Sequence, residues 1–548
     1  MNYQKYQKAY SPVPLTKRSW PDREITSAPT WCSVDLRDGN QALFSPMMLE
    51  EKVEFFNFLV DLGFKEIEIG FPAASETEYQ FTRHLIENNL IPDDVTIQVL
   101  TQSREHIIRK TVEAIKGAKN VIIHFYNSTS ELQRRVVFHM EKQEIIDLAI
   151  SGAKLLKELE EELDGNIRYE YSPESFTCTE MEFAAEICNA VIDELEPSPD
   201  KKLIINLPST IEVSTPNIFA DQIEYMSNHL KRRDAISISV HAHNDRGTGV
   251  AATELALLAG ADRVEGTLFG NGERTGNADI VVIALNMFSM GIDPKLELGN
   301  ITKIAEVFKK FNKLPIHPRQ PYAGQYAYTA FSGSHQDAIK KSMDYYKSHD
   351  AAHWQNPYLP IDPSDLQRNY EPIQINSQSG KGGVDYIMET KFGYSVPKQM
   401  LQHFSSIIKR LSDDKHTVME PQEIYEAFKK EYVNLDARVK LNNYTFHVDG
   451  EKANMTAKLS VHGVEHEISK SGNGPLDAMT NILREATGRQ VEIVSYTEHA
   501  LEGSSTSKAV SYIALSNPNG EVYWGAGVHE NINTSSILAL FSAMNKMI

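Results

Sequence analysis

The sequence predicts an α/β fold: a (β/α)8 TIM barrel, then a helical and irregular linker region, then a C-terminal α+β domain. Three observations lead there. From Trp31 to Met290, short apolar runs alternate with helical patterns eight times, and eight β/α units in about 260 residues is the size of such a barrel. The residues able to do chemistry fall just where those runs end. The chain beyond Tyr432 repeats a strand–strand–strand–helix pattern twice. A doubly wound open sheet is the runner-up, but eight units of even size favour closure.

Taken in order, residues 1–30 contain four prolines and no sustained period, and read as an extended arm. The eight strands are expected at Trp31–Leu36, Glu66–Phe71, Val95–Leu100, Val121–Tyr126, Ile167–Tyr171, Leu203–Leu207, Ile236–Val240 and Arg263–Leu268. Helical spacing marks Met48–Leu62, where Val53, Phe56, Leu59 and Leu62 recur every three or four residues. Similar patterns cover Gln143–Leu163, Glu180–Leu195, Asn217–Leu230, Gly249–Gly260, Ile280–Met290 and Ile301–Phe311. From His317 to Tyr370 the chain is rich in Tyr, Pro and Gly with poor periodicity, as lids, binding loops and linkers are. The Gly-rich NSQSGKGG at 376–383 lacks the spacing of a phosphate-binding loop and reads as a turn. Val396–Leu411 and Pro421–Tyr432 look helical. The repeat then runs Tyr444–Val448, Met455–Val461, Val464–Ile468 and helix Gly474–Ala486, followed by Val491–Glu498, Ala509–Leu515, Val522–Val528 and helix Thr534–Met547. The expected domains are an arm (1–30), a catalytic barrel (31–315), linker and lid subdomains (316–434) and a regulatory, dimerising domain (435–548).

Composition narrows the function. Apolar residues make up 41% and charged residues 24%, ordinary for a soluble globular protein. A formal charge of −19 argues against nucleic acid and against an anionic membrane surface as partners. The apolar runs are too short to span a bilayer. Cys32, Cys178 and Cys188 form neither a disulfide framework nor a zinc-ribbon spacing. With no signal-peptide pattern at the N-terminus, the expected compartment is the cytoplasm.

Barrel enzymes place their chemistry at the C-terminal ends of the strands. Those ends carry Arg37 and Asp38 after the first, His124 on the fourth, Glu174 past the fifth, Thr210 after the sixth, His241 and His243 on the seventh, and Gly270–Asn277 after the eighth. His241 and His243 are two apart, so they share one strand face and can close on one metal ion. Asp38, in LRDGNQ, adds a hard carboxylate, and Asn277, in GNGERTGN, could add a carbonyl oxygen. Such a mixed set suits Mg2+, Mn2+ or Zn2+. A guanidinium at Arg37 would stabilise an enolate or alkoxide oxygen; it could equally pair with Asp38 or Glu174.

LRDGNQ, HAHND and LFGNGERTGN resemble the DRE-TIM metallolyase superfamily. Within it, YSPESFTCTE, LPSTIE and FSGSHQDAIKK look like the 2-isopropylmalate synthases, and GNGPLDAMTNIL resembles the leucine-sensing domain of their long form. The match runs over nearly the whole chain from residue 31 onward. The resemblance implies a Claisen-type condensation of acetyl-CoA with 3-methyl-2-oxobutanoate, giving (2S)-2-isopropylmalate and CoA, feedback-inhibited by leucine. It implies Asp38, His241, His243 and Asn277 as metal ligands, and Arg37, Glu174, His335 and Tyr370 as catalytic residues. His124 and Thr210 would be substrate-binding. In the repeat, the helix N-terminus at Gly472, Gly474 and Pro475 offers free N–H groups to an amino acid's carboxylate, and these residues are expected to be regulatory. The expected cofactor is Mg2+, with Mn2+ or Zn2+ as alternatives and K+ as a monovalent activator, and the expected assembly is a homodimer. Citramalate or homocitrate synthesis on the same barrel is the nearest alternative. A metal-dependent lyase would not need the C-terminal repeat, and a non-catalytic sensor would not keep this set of polar residues.

Overall fold

The computed structural model describes residues 2–349, 352–370, 381–415, 419–450, 452–501 and 507–548. The chain divides into two compact units, Met1–Ala327 with Pro363–Arg368, and Tyr328–Asp362 with Asn369–Ile548.

In the first unit eight parallel strands close in sequence order: β1 (Thr30–Ser33), β2 (Glu66–Gly70), β3 (Thr96–Gln102), β4 (Asn120–Ser128), β5 (Asn166–Glu174), β6 (Leu203–Ser209), β7 (Ile236–Ala242) and β8 (Arg263–Gly266), which pairs back onto β1. All eight expected strands are present. The crossovers are helices α1 (Leu49–Asp61), α2 (Glu76–Glu87), α3 (Glu105–Ile115), α4 (Lys142–Glu160), α5 (Met181–Leu195), α6 (Pro216–His229), α7 (Gly249–Leu258) and α8 (Ile280–Ser289), with α9 (Ile301–Asn312) after them. The sequence reading passed over α2 and α3, although Ile108, Val112 and Ile115 bury one face of α3 at four- and three-residue spacing.

Strand alternation sorts the side chains into two layers. Ile67, Ile69, Ile97, Val99, Val121, Ile123 and Phe125 are fully or almost fully buried, and apolar burial of this kind stabilises by about 1.5–3 kcal/mol per side chain. The alternate positions face the barrel axis and include the charged Glu66, Glu68, Glu170, Arg263 and Glu265. Arg263 on β8 reaches Glu66 on β2 (2.6 Å), Gln98 on β3 (2.7 Å), Ser239 on β7 (2.8 Å) and Glu170 on β5 (3.1 Å). Strands so far apart around the barrel meet only through its interior, so this barrel is filled by an ion network where branched apolar residues are usual.

The arm of residues 1–30 is mostly irregular, as expected, but it is anchored. Arg18 grips Asp221 on α6 through two bonds of 2.7 Å, and the Trp20 indole donates to the same carboxylate.

In the second unit, helix α10 (Gly333–His349) occupies part of the stretch read as irregular. Its tyrosines and glycines masked a helix with Gln336 and Ile339 on the buried side. Helices α11 (Lys381–Phe392), α12 (Lys398–Lys415) and α13 (Pro421–Tyr432) pack with one sheet face through Met400, Phe404, Phe428, Tyr432 and Tyr512. Residues 381–383 of the expected Gly-rich turn begin α11, and residues 376–380 lie outside the described residues.

The repeat is built as the sequence reads. Strands β9 (Val439–Asp449), β10 (Lys452–Val461) and β11 (Val464–Gly472) with helix α14 (Pro475–Thr487) form one half. Strands β12 (Glu492–Ala500), β13 (Ala509–Ser516) and β14 (Val522–His529) with helix α15 (Ile532–Met547) form the other. Each half is an antiparallel three-stranded sheet with its second strand in the middle. Both halves share one core, in which Met455, Leu459, Ile482, Ile513 and Leu540 meet.

Candidate metal centre at the barrel mouth

Asp38 leaves β1 through a π-helical turn, Asp35–Gly39, a rare geometry that recurs at functional sites. The turn presents Asp38 beside the end of β7. There His241 Nε2 lies 3.5 Å and His243 Nε2 4.0 Å from Asp38 Oδ2. A short antiparallel bridge aligns His243 with Asn277. The loop carrying Asn277 folds back tightly: Gly276 has φ +97°, and a Cβ there would stand 1.8 Å from the Gly270 carbonyl oxygen.

The donor set fits a divalent cation. Asp38 Oδ2 and Asn277 Oδ1 are both buried with no hydrogen-bond partner among the described residues, a costly state for polar atoms unless something else satisfies them. Ligand atoms of Asp38, His241 and His243 fall within 4.8 Å of one another. One carboxylate oxygen and two imidazole nitrogens thus lie together, with Asn277 on the strand segment bridged to His243.

Electrostatics agree. Burial alone would raise the Asp38 pKa, but Arg37 and the two histidines outweigh it and hold the carboxyl well below the usual carboxylate range. Burial disfavours charge on His241, yet Asp38 and Glu265 win and lift its pKa to about 9. His243 is pushed down to about 4, by burial first and by the His241 charge next. The carboxylates thus call for positive charge here, and a metal ion competes with protons for the same lone pairs.

Arg37 is clamped. Its Nε donates to Glu68 (2.5 Å) and one terminal nitrogen to Asp38 (2.7 Å). Burial would lower its pKa; the two carboxylates override that and raise it. Glu174 ends β5 and accepts a hydrogen bond from the Ser128 hydroxyl. The next residue, Ser175, is left-handed at φ +61°, and its N–H is taken by Thr210 Oγ1 at 2.9 Å. His124 is held at both ring nitrogens, by Glu68 (2.8 Å) and Ser172 Oγ (2.7 Å). These residues line one cavity of about 260 Å3 that also reaches Tyr126, Asn206, Glu273 and Arg274.

So Arg37, Asp38, His124, Glu174, Thr210, His241 and His243 come together around one cavity, with Asn277 aligned beside His243. His335 and Tyr370 belong to the other unit. His335 is exposed on α10 and stacked on Tyr358, ring centroids 4.0 Å apart. The Tyr370 hydroxyl is buried without a hydrogen-bond partner among the described residues, and burial raises its pKa to about 12. Gly472 ends β11 so close to α14 that a Cβ would stand 2.3 Å from the Ala478 nitrogen. Gly474 is the N-cap of α14 and Pro475 its first residue. Asp477 already turns its carboxylate back to the Asn473 N–H at 2.9 Å.

Sequence reasoning missed Glu68, Gln98, Glu265, Asn206 and Gln41. For Glu68 the signal was present: in EIEIG two glutamates alternate with two isoleucines, so both glutamates share the face that points at the axis.

Three family models match consecutive stretches of the chain: HMGL-like over residues 28–308, alpha-isopropylmalate synthase post-catalytic domain-like over 325–389, and LeuA allosteric (dimerisation) domain over 418–548. The 2-isopropylmalate synthase of Acetoanaerobium sticklandii is 54% identical, the alignment covering 100% of this chain and 97% of that one. The 2-isopropylmalate synthases of Desulfitobacterium hafniense and Helicobacter hepaticus are each 52% identical, over 100% of this chain and 99% and 100% of theirs.

Proposed function

The chain belongs to the 2-isopropylmalate synthase family, and from that premise we propose that it condenses acetyl-CoA with 3-methyl-2-oxobutanoate, releasing CoA and (2S)-2-isopropylmalate in the first committed step toward leucine. The observation that supports this reading at the site is the grouping of Asp38, His241 and His243 ligand atoms within 4.8 Å of one another, with Arg37 clamped to Asp38.

Asp38, His241, His243 and Asn277 would hold a divalent ion, proposed as Mg2+ with Mn2+ or Zn2+ able to replace it, and that ion supplies Lewis-acid polarisation of the 2-oxo acid's keto group. The chain's own residues do the rest. Arg37, fixed by Glu68 and Asp38, keeps a cationic guanidinium where the enolate or alkoxide oxygen gains charge, and pre-fixed donors act there without reorganising. Thr210 and His124 line the wall that meets the oxo acid. Glu174, held by Ser128, faces the same cavity as a carboxylate close to the reacting centre. His335 and Tyr370 are assigned proton transfer on the family resemblance. The C-terminal repeat is read as the leucine-sensing, dimerising part, with Gly472, Gly474 and Pro475 at the proposed seat of the amino acid. Its helix N-terminus offers N–H groups to a carboxylate, in competition with Asp477.

The test is a steady-state comparison of 2-oxo acids with free CoA as the readout. The expected order puts 3-methyl-2-oxobutanoate first in kcat/KM. A preference for pyruvate or 2-oxoglutarate would move the assignment to citramalate or homocitrate synthesis.

A further inference from the structure

Glu265 lies on β8, fully buried below the metal centre, and none of the roles given so far uses it. Its Oε2 sits 2.8 Å from His241 Nδ1 and 3.2 Å from the Asn206 amide nitrogen. Its Oε1 takes bonds of 2.9 Å from both Arg263 and Gln98. Four donors therefore fix one carboxylate, and the carboxylate in turn touches one of the two proposed imidazole ligands. Arg263 and Gln98 donate to one of its oxygens and Asn206 to the other, so the carboxylate meets His241 as an acceptor. An acceptor at Nδ1 obliges His241 to carry a hydrogen there, which leaves Nε2, 3.5 Å from Asp38 Oδ2, as the nitrogen able to give its lone pair to a metal ion. His243 has no carboxylate there: its Nδ1 faces the Gly276 carbonyl, at 3.3 Å, among the described residues.

We propose that Glu265 is a positioning residue of the metal centre, which fixes the His241 tautomer and ring orientation and makes His241 the stronger of the two imidazole ligands. The proposal rests on the metal reading above. It places one Arg263–Glu265–His241 line between the ion network of the barrel axis and the mouth. A carboxylate partner raises the basicity of a ligand histidine, and loss of such a partner typically weakens metal binding roughly 10–100-fold.

The experiment is Mn2+ titration of the full-length protein without substrate, followed by the electron paramagnetic resonance of free Mn2+. Glu265→Gln keeps the volume but cannot satisfy its neighbours. With its oxygen toward His241, its NH2 meets the N–H groups of Arg263 and Gln98. Reversed, it opposes the Nδ1–H. The expected result is a Kd raised by roughly 10–100-fold. Glu66→Gln is the control: it also removes a carboxylate from Arg263 (2.6 Å) but does not touch His241. It should lower thermal stability and leave the Mn2+ affinity where it was. If both variants weaken binding alike, Glu265 merely holds Arg263 and the proposal falls. It falls too if Glu265→Gln binds like the wild type. A wild type that binds no Mn2+ would instead overturn the metal reading itself. Should Glu265→Gln not fold, nitrogen-15 NMR of the Mg2+-loaded wild type decides, with His241→Gln identifying the signal. Protonation at Nδ1 supports the proposal and protonation at Nε2 refutes it.

Discussion

Replacing Arg37 by Lys keeps the charge and removes the fork. In the folded protein the Arg37 side chain is only 11% exposed and spends two separate nitrogens on two carboxylates, Nε on Glu68 and a terminal nitrogen on Asp38. A single ammonium on a shorter stem cannot span both. One charge-assisted hydrogen bond, about 1.5–3 kcal/mol, is therefore lost, which is roughly 10- to 150-fold in any step that depends on the geometry. If the guanidinium also faces the developing oxyanion, losing that donor costs roughly 10²–10³ in kcat. Both effects act on the transition state, so Arg37→Lys should lower kcat by about two to three decades with KM for the oxo acid little changed. Stopped-time assays of CoA release across a range of oxo-acid concentrations measure the two constants, and thermal melting checks that the barrel is intact. An unchanged kcat with a raised KM would refute the reasoning and place Arg37 in ground-state binding.

Further expectations follow from other residues. His243→Ala leaves Asp38, His241 and Asn277 as an incomplete set, so activity and Mn2+ binding should collapse in a folded protein; a variant active after metal stripping would sink the ligand assignment. Arg263→Met strands the carboxylates of Glu66, Glu170 and Glu265 in the barrel axis, and denaturation should show a loss of about 3–5 kcal/mol. Asp35 is buried, and burial lifts its pKa to about 7 against the Ser33 and Leu268 hydrogen bonds. The folded chain thus keeps a proton that the unfolded chain sheds near pH 4, so this group's contribution to stability declines from about pH 4 to 7 and is flat above. Asp35→Asn should remove that decline, by up to about 4 kcal/mol at pH 8; urea curves at pH 5 and pH 8 that shift equally in both proteins would contradict it. Leucine should inhibit the full-length enzyme and release heat on binding in calorimetry; absence of both effects in folded, dimeric protein would leave the C-terminal repeat with dimerisation alone.

The sequence was most informative where local pattern and function coincide. The eight strands were legible because each is a short apolar run between helices, and the mouth residues because barrel topology brings every strand's C-terminal end to one place. His241 and His243 needed only their two-residue spacing. Helix α10 was hidden because only Gln336 and Ile339 are buried along it, so its 3.6-residue period is faint. Glu265 and Gln98 were hidden for another reason. Their meaning comes from contacts across the barrel, with Arg263 on one side and His241 on the other, and no local window holds both. The anchoring of the arm was likewise a matter of residues about 200 positions apart in the chain, Arg18 and Asp221.

That anchor has a consequence for synthesis. Arg18 and Trp20 leave the ribosome 203 and 201 residues before the carboxylate they share, a wait of roughly 10–40 s at elongation rates of about 5–20 residues per second. Through that interval the arm has no partner and must neither collapse nor capture a neighbour. Its four prolines and its scattering of Lys and Arg suit it to waiting. When α6 emerges, Asp221 and Glu224 meet Arg18, Ser19 and Trp20, already made, and the earlier stretch closes over a later helix like a latch.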